Sequence, residues 1–171
     1  VDLAAALIEK CAADPDLAAI EFRVANIIDL SELGSFDAIT CNAVTYLLDW
    51  DDYSRALKSI YAALRPGGRY VGFELANPFS VQDLTIVETS EWNPAGLVLR
   101  VRPIARVEKA FHEAGFASVD FHEFTMPIDL PFPGYDADVV TYTRKDESGK
   151  RLSFRGAFFQ PWYHIVATKP A

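Results

Sequence analysis

Cysteine is scarce, methionine scarcer, and long apolar runs are missing. The 171 residues hold two cysteines, Cys11 and Cys41, which are too few for a disulfide framework and lack metal-ligand spacing. Three histidines, His112, His122 and His164, lie far apart without metal-type partners nearby, so a zinc site finds no ligands. No stretch approaches the roughly 20 apolar residues of a membrane span, and no charged-then-apolar signal segment opens the chain. Basic residues are outnumbered, 16 against 24 acidic, for a net charge of -8. That balance argues against a broad phosphate-binding surface and hence against nucleic acid as a partner. Together these absences suggest a reduced, cytoplasmic protein with neither a nucleic-acid nor a membrane partner. Glycine is absent before Gly34. What is present is a half-hydrophobic composition, enough for one domain with a sizeable core spanning 1–171.

The order of patterns reads as alternating helix and strand. Leu3 to Ala13 is alanine-rich with Leu3, Leu7, Ile8 and Cys11 on one face, a helix that Asp2 would cap and Pro15 ends. Ile20 to Ala25 and Phe36 to Cys41 read as strands. Asp49 to Leu64 is an amphipathic helix whose opening acids, Asp49, Asp51 and Asp52, suit the positive end of its dipole. "LRPGGRYVGFE" then stops that helix at Pro66-Gly67-Gly68 and starts a strand, Arg69 to Leu75. This alternation is the signature of a parallel sheet with helical crossovers.

Beyond Asn77-Pro78 the pattern weakens, and Phe79 to Arg102 reads as an irregular or partly helical insertion. Pro103 opens another helix that Gly115 ends, and Ala117 to Phe124 is a strand. A hairpin over 137–155 turns at "KDESGK", and Tyr163 to Thr168 is the last strand.

In this order the chain resembles a class I S-adenosylmethionine-dependent methyltransferase of the small-molecule type. The resemblance rests on "VD" before a helix, "FRVANIIDL" before "FDAITCNAVTYLLDW", the helix into "LRPGGRYVGFE", then "AFHEAGF" with its strand, and a final strand ending "VATKP". It implies an α/β, Rossmann-like sheet, mostly parallel, with an antiparallel C-terminal strand. It also implies S-adenosyl-L-methionine as cofactor and methyl transfer to an oxygen, nitrogen or carbon of a small-molecule acceptor. The family's glycine-rich loop and first strand have no counterpart, because the first glycine is Gly34. An amino-terminally truncated member is therefore expected. Two other readings stand beside it: a non-catalytic remnant or binding module of the same fold, and a nicotinamide-dependent oxidoreductase.

In open parallel sheets ligands gather at the carboxyl ends of strands. By resemblance, Asp2, with Leu3 beside it, matches the acidic strand end that accepts the ribose hydroxyls, although a helix N-cap would suit it equally. Asn26 and Ile27 match the pair that meets adenine, with asparagine standing where the family usually has aspartate; a simple turn residue is the other possibility for Asn26. Cys41 and Asn42 match the segment beside the donor's methionine part, and Ala43 and Tyr46 the part facing the acceptor. Cys41, Ala43 and Tyr46 could equally be packing residues. Glu74 and Asn77 stand where they could point into an acceptor pocket that Trp50, Phe79 and Trp92 could line. The insertion over 79–102 is the expected acceptor-side specificity element, since loops over a fixed scaffold carry recognition. No catalytic residue is assigned: in-line methyl transfer needs orientation and no enzyme nucleophile.

Overall fold

A computed structural model describes residues 1–91 and 93–171. In chain order the elements are α1 (Ala5–Ala12), β1 (Phe36–Asn42), α2 (Trp50–Ala63), β2 (Leu64–Asn77), β3 (Leu84–Glu88) and β4 (Leu97–Pro103). They continue with α3 (Ile104–Ala114), β5 (Ser118–Glu123), β6 (Thr141–Lys145), β7 (Arg151–Arg155), β8 (Phe158–Phe159) and β9 (Trp162–Thr168).

β2 is the axis of the main sheet. β1 lies parallel on one side, with Thr40 opposite Val71 and Asn42 opposite Phe73. β9 lies antiparallel on the other side, pairing Phe73 with His164, and β5 pairs antiparallel with β9 in turn. Thus β1, β2 and β5 run one way and β9 runs against them, the Rossmann-like arrangement with an antiparallel C-terminal strand.

Helices α2 and α3 cover one face of this sheet. Tyr53, Leu57 and Ile60 of α2 and Val107 and Phe111 of α3 are fully buried against Tyr70, Ile165 and Ala167 of the strands. Each such side chain contributes about 1.5–3 kcal/mol of burial energy, so this layer holds the fold. Asp49 starts α2 by accepting the Asp52 amide at 2.9 Å, as its position before an acidic first turn anticipates. Gly115 ends α3 at φ +108, where a Cβ would also lie 2.9 Å from the Tyr61 ring, so both conformation and space demand glycine.

Several expectations are revised. The Pro-Gly-Gly corner does not separate helix from strand: β2 already begins at Leu64, and its pairing jumps from Phe36–Leu64 to Ala38–Arg69. Residues 65–68 form a bulge with Gly67 at φ +74, closed by the chain end through Gly67 N–H to Pro170 O and Lys169 N–H to Gly68 O. Ile20 to Ala25 is not a strand. It makes a single bridge, Asp2 with Val24, and Ile20 and Val24 stay 55% and 54% exposed, so alternation there finds neither a ladder nor a cover. α1 begins at Ala5 with Ala4 at its cap position, and none of its residues is buried. The segment over 79–102 is not irregular: β3 and β4 form an antiparallel hairpin from Leu84–Val101 to Glu88–Leu97. Ala76–Arg102 and Asn77–Pro103 splice that hairpin onto the end of β2. The later hairpin pairs Thr141–Arg155 through Lys145–Arg151, starting four residues after Ala137, and β8 adds a third strand.

Candidate functional site

The parallel pairing of β1 with β2 delivers the carboxyl end of β1 to the rim of a cavity of ≈ 820 Å³. Three separated stretches line it: the chain start through Ala4, the turn around Ile27 and Leu30, and Ile39 to Val44 with Leu47. Asp2, Leu3, Ile27, Cys41, Asn42 and Ala43 thus share one space, although up to 40 positions part them. Asp2 carries the only charged side chain among the lining residues, and most of the wall is aliphatic.

Asp2 does not cap α1 directly. Its Oδ1 accepts the Ala4 amide at 2.8 Å, which orients the carboxylate two residues ahead of the helix cap. Such a group keeps further lone pairs for hydroxyl donors. Asn26 lies behind the wall: its Oδ1 accepts the Ile28 amide at 3.2 Å and its carbonyl accepts the Asp29 amide at 2.9 Å. It thereby shapes the turn that carries Ile27 to the cavity.

Cys41 is buried at the base, where desolvation, with the Glu74 charge adding to it, pushes its thiol up to about 11. Asn42 is exposed at the rim. Ala43 leaves the strand at φ +57, a left-handed conformation uncommon outside glycine, and its amide donates to Phe73 O at 2.8 Å. The turn then enters a short 3-10 helix, Thr45–Leu47.

The other pocket candidates do not line this cavity. Tyr46 stands edge-on to Trp162 at 5.6 Å, and burial raises its hydroxyl pKa against the opposing pull of Arg155. Trp50 donates to Asp83 Oδ2 at 2.7 Å and lies under the guanidinium groups of Arg106 at 3.9 Å and Arg102 at 4.8 Å. Glu74 is buried, accepting Thr45 Oγ1 at 2.8 Å and Tyr53 OH at 3.2 Å. Asn77 is claimed by the hairpin through Gln82 O, Val101 O and the Phe79 amide, while Phe79 is 62% exposed. Trp92 lies outside the described residues. Sequence reasoning passed over the aliphatic wall of Leu30, Ile39, Val44 and Leu47. It also passed over Arg100 and Arg102, whose alternation inside the apolar run "LVLRVRP" was the available signal.

Comparison with known proteins meets this geometry. A family model described as a methyltransferase domain matches residues 1–68, which contain every lining residue of the cavity. Over those 68 residues the chain is similar to that methyltransferase domain. A relative, the demethylmenaquinone methyltransferase of Symbiobacterium thermophilum, is 28% identical over 149 residues, covering 71% of this chain and 59% of that protein. Among solved structures, a S-adenosylmethionine-dependent methyltransferase from Methanosarcina mazei superposes with a TM-score of 0.64 at 16% identity, covering 99% of this chain and 80% of that one. The 1,6-didemethyltoxoflavin-N1-methyltransferase of Burkholderia thailandensis, solved with 1,6-didemethyltoxoflavin and S-adenosylhomocysteine, gives 0.58 at 16% identity, covering 94% of this chain and 59% of that one. At such identity these structures share the methyltransferase fold. The chain spans about three fifths of the length of the curated relative. Among its described residues no helix is long and apolar enough to cross a membrane.

Proposed function

We propose that the chain holds S-adenosylmethionine in the cavity at the end of β1 and directs its methyl group to an oxygen, nitrogen or carbon of a small-molecule acceptor. The observation that carries this reading is the convergence of Asp2, Ile27 and Asn42, from three separate stretches, on one largely aliphatic cavity. When bound, the donor supplies a sulfonium methyl carbon that is already electrophilic. The protein's contribution is then binding and alignment. Asp2 would receive the ribose hydroxyls, its carboxylate already oriented by the Ala4 amide. Ile27 and Leu30 would cover the adenine face, and Asn42 at the rim would orient the acceptor. Cys41 gains a clear role in this reading. Burial holds its thiol up at about 11, so it stays protonated at neutral pH and would not compete as a nucleophile for the methyl group.

The β3–β4 hairpin within 79–102 is the acceptor-side element of the proposal, since it abuts the end of β2. A cytoplasmic location is also part of it, resting on the free thiols of Cys11 and Cys41. Calorimetric titration of S-adenosylhomocysteine into the protein as its gene encodes it tests the reading. Binding should occur, and Asp2→Ala should weaken it about 10- to 100-fold, the scale of hydrogen bonds to a charged acceptor. A folded protein that ignores the ligand would refute the proposal.

A further inference from the structure

The turn over 43–48 forms one wall of the cavity, yet its backbone has few partners of its own. Ala43 opens it with a left-handed φ, and only one 3-10 turn follows. Within it Leu47 N–H donates to Val44 O and Leu48 N–H to Thr45 O, and the distant hairpin supplies further donors to its carbonyl groups. Arg102 Nη1 donates to Thr45 O at 3.2 Å, Arg102 Nη2 donates to Leu48 O, and Arg100 Nη1 donates to Leu47 O. The positions interleave: Ala43, Val44 and Leu47 line the cavity, while Thr45 and Leu48 are held from behind.

Arg102 is fully buried, with its guanidinium 4.3 Å from the Tyr53 ring centre. Glu74, also buried, grips the same turn through the Thr45 hydroxyl. Stability alone is a weak reason for this arrangement, because buried charged groups are often matched or bettered by well-packed apolar residues. Among the described residues the buried Arg102 Nε has no hydrogen-bond partner, so the guanidinium is not placed to maximise its own bonding. Its two terminal nitrogens are spent on two carbonyls three residues apart, a task for which a planar fork is suited and a point charge is not.

We propose that Arg102, seconded by Arg100, is a positioning residue: it clamps the 43–48 turn from the β3–β4 hairpin and so sets the shape of the cavity wall. The effect on ligand rests on the methyl-donor reading above; the clamping of the turn does not.

The test therefore has two readouts, amide hydrogen exchange across 43–48 and the affinity for S-adenosylhomocysteine. Arg102→Lys keeps the charge and loses the fork. Arg100→Gln removes a partly exposed contact that the core does not need. Each should speed exchange at Leu47 and Leu48 about tenfold or more beyond any global change in stability, while the α2 amides keep their wild-type protection. Arg102→Lys should also weaken S-adenosylhomocysteine about tenfold. Arg65→Met, which breaks an exposed pair with Asp37 near the opposite end of β1, should leave both readouts unchanged. If the wild type binds the ligand and the variants bind equally well with unaltered exchange, Arg102 is merely structural and the inference falls. If the wild type fails to bind, the methyl-donor reading falls, and the exchange data alone decide the clamp: faster exchange at 47–48 sustains it and unchanged exchange overturns it.

Discussion

Replacing Arg102 by methionine would leave the Glu74 carboxylate buried without its cation, beside Thr45, Tyr53 and the buried thiol of Cys41. The Thr45 and Leu48 carbonyls would lose a charged donor and Glu74 a nearby positive charge, together a cost of about 3–5 kcal/mol. For a chain of this size each kcal/mol moves the melting temperature by about 2–4 °C, so the loss corresponds to about 6–20 °C at pH 8. The pH dependence gives the sharper check. Burial already raises the Glu74 pKa, opposed by the Thr45 hydrogen bond, the Arg102 charge and the Tyr53 hydrogen bond. A carboxyl group whose folded pKa is raised binds its proton more tightly when folded. Its favourable contribution is complete below the ordinary carboxylate value and is lost as pH rises through the folded value. Arg102→Met removes one of the opposing influences and moves the folded pKa further up, so the variant's deficit should be larger at pH 8 than at pH 5. Glu74→Gln should abolish this difference. Urea unfolding of the wild type, both single variants and the double variant at the two pH values would measure it. The double variant should lose less than the sum of the single losses. A deficit for Arg102→Met below about 1 kcal/mol, or one equal at both pH values, would refute the reasoning.

The buried Tyr70 hydroxyl meets the weakly bonding Cys41 thiol and no stronger partner among the described residues, so Tyr70→Phe should change stability by less than about 1 kcal/mol, read in the urea midpoint; a larger loss would show that the hydroxyl is firmly bonded. At pH 8 the Cys41 thiol, with its pKa raised to about 11, should resist a maleimide reagent while the half-exposed Cys11 reacts; mass spectrometry should find one adduct on the native chain and two after denaturation.

The elements legible in the sequence are those whose signals are local. Asp49 and Gly115 mark helix ends by their own chemistry, and the spacing of Tyr53, Leu57 and Ile60 declares the buried face of α2. The alternation at Ile20–Ala25 looked equally clear and misled, because a strand exists only where a ladder receives it, and a single bridge at Val24 is all this segment has. The β3–β4 hairpin was hidden by its loop residues, Pro94 and Gly96, and by two arginines inside an apolar strand whose partners stand more than 50 positions away. The same distance governs the site. Asp2, Leu3, Ile27, Cys41 and Asn42 were singled out by the family resemblance at strand ends and do line one cavity, whereas Asn26, singled out with them, does not. Glu74 and Asn77 also sit toward the end of a strand, yet their side chains are taken by Thr45 and Tyr53 and by Gln82 and Val101. Only the fold brings those partners to them.

A crystal structure of the protein, as its gene encodes it, with S-adenosylhomocysteine tests the central claim most directly. The ribose hydroxyls should lie on the Asp2 carboxylate, the adenine against Ile27, and the sulfur at the end of β1 beside Cys41 and Asn42. Ligand bound elsewhere, with the cavity at the end of β1 left to solvent, would contradict it.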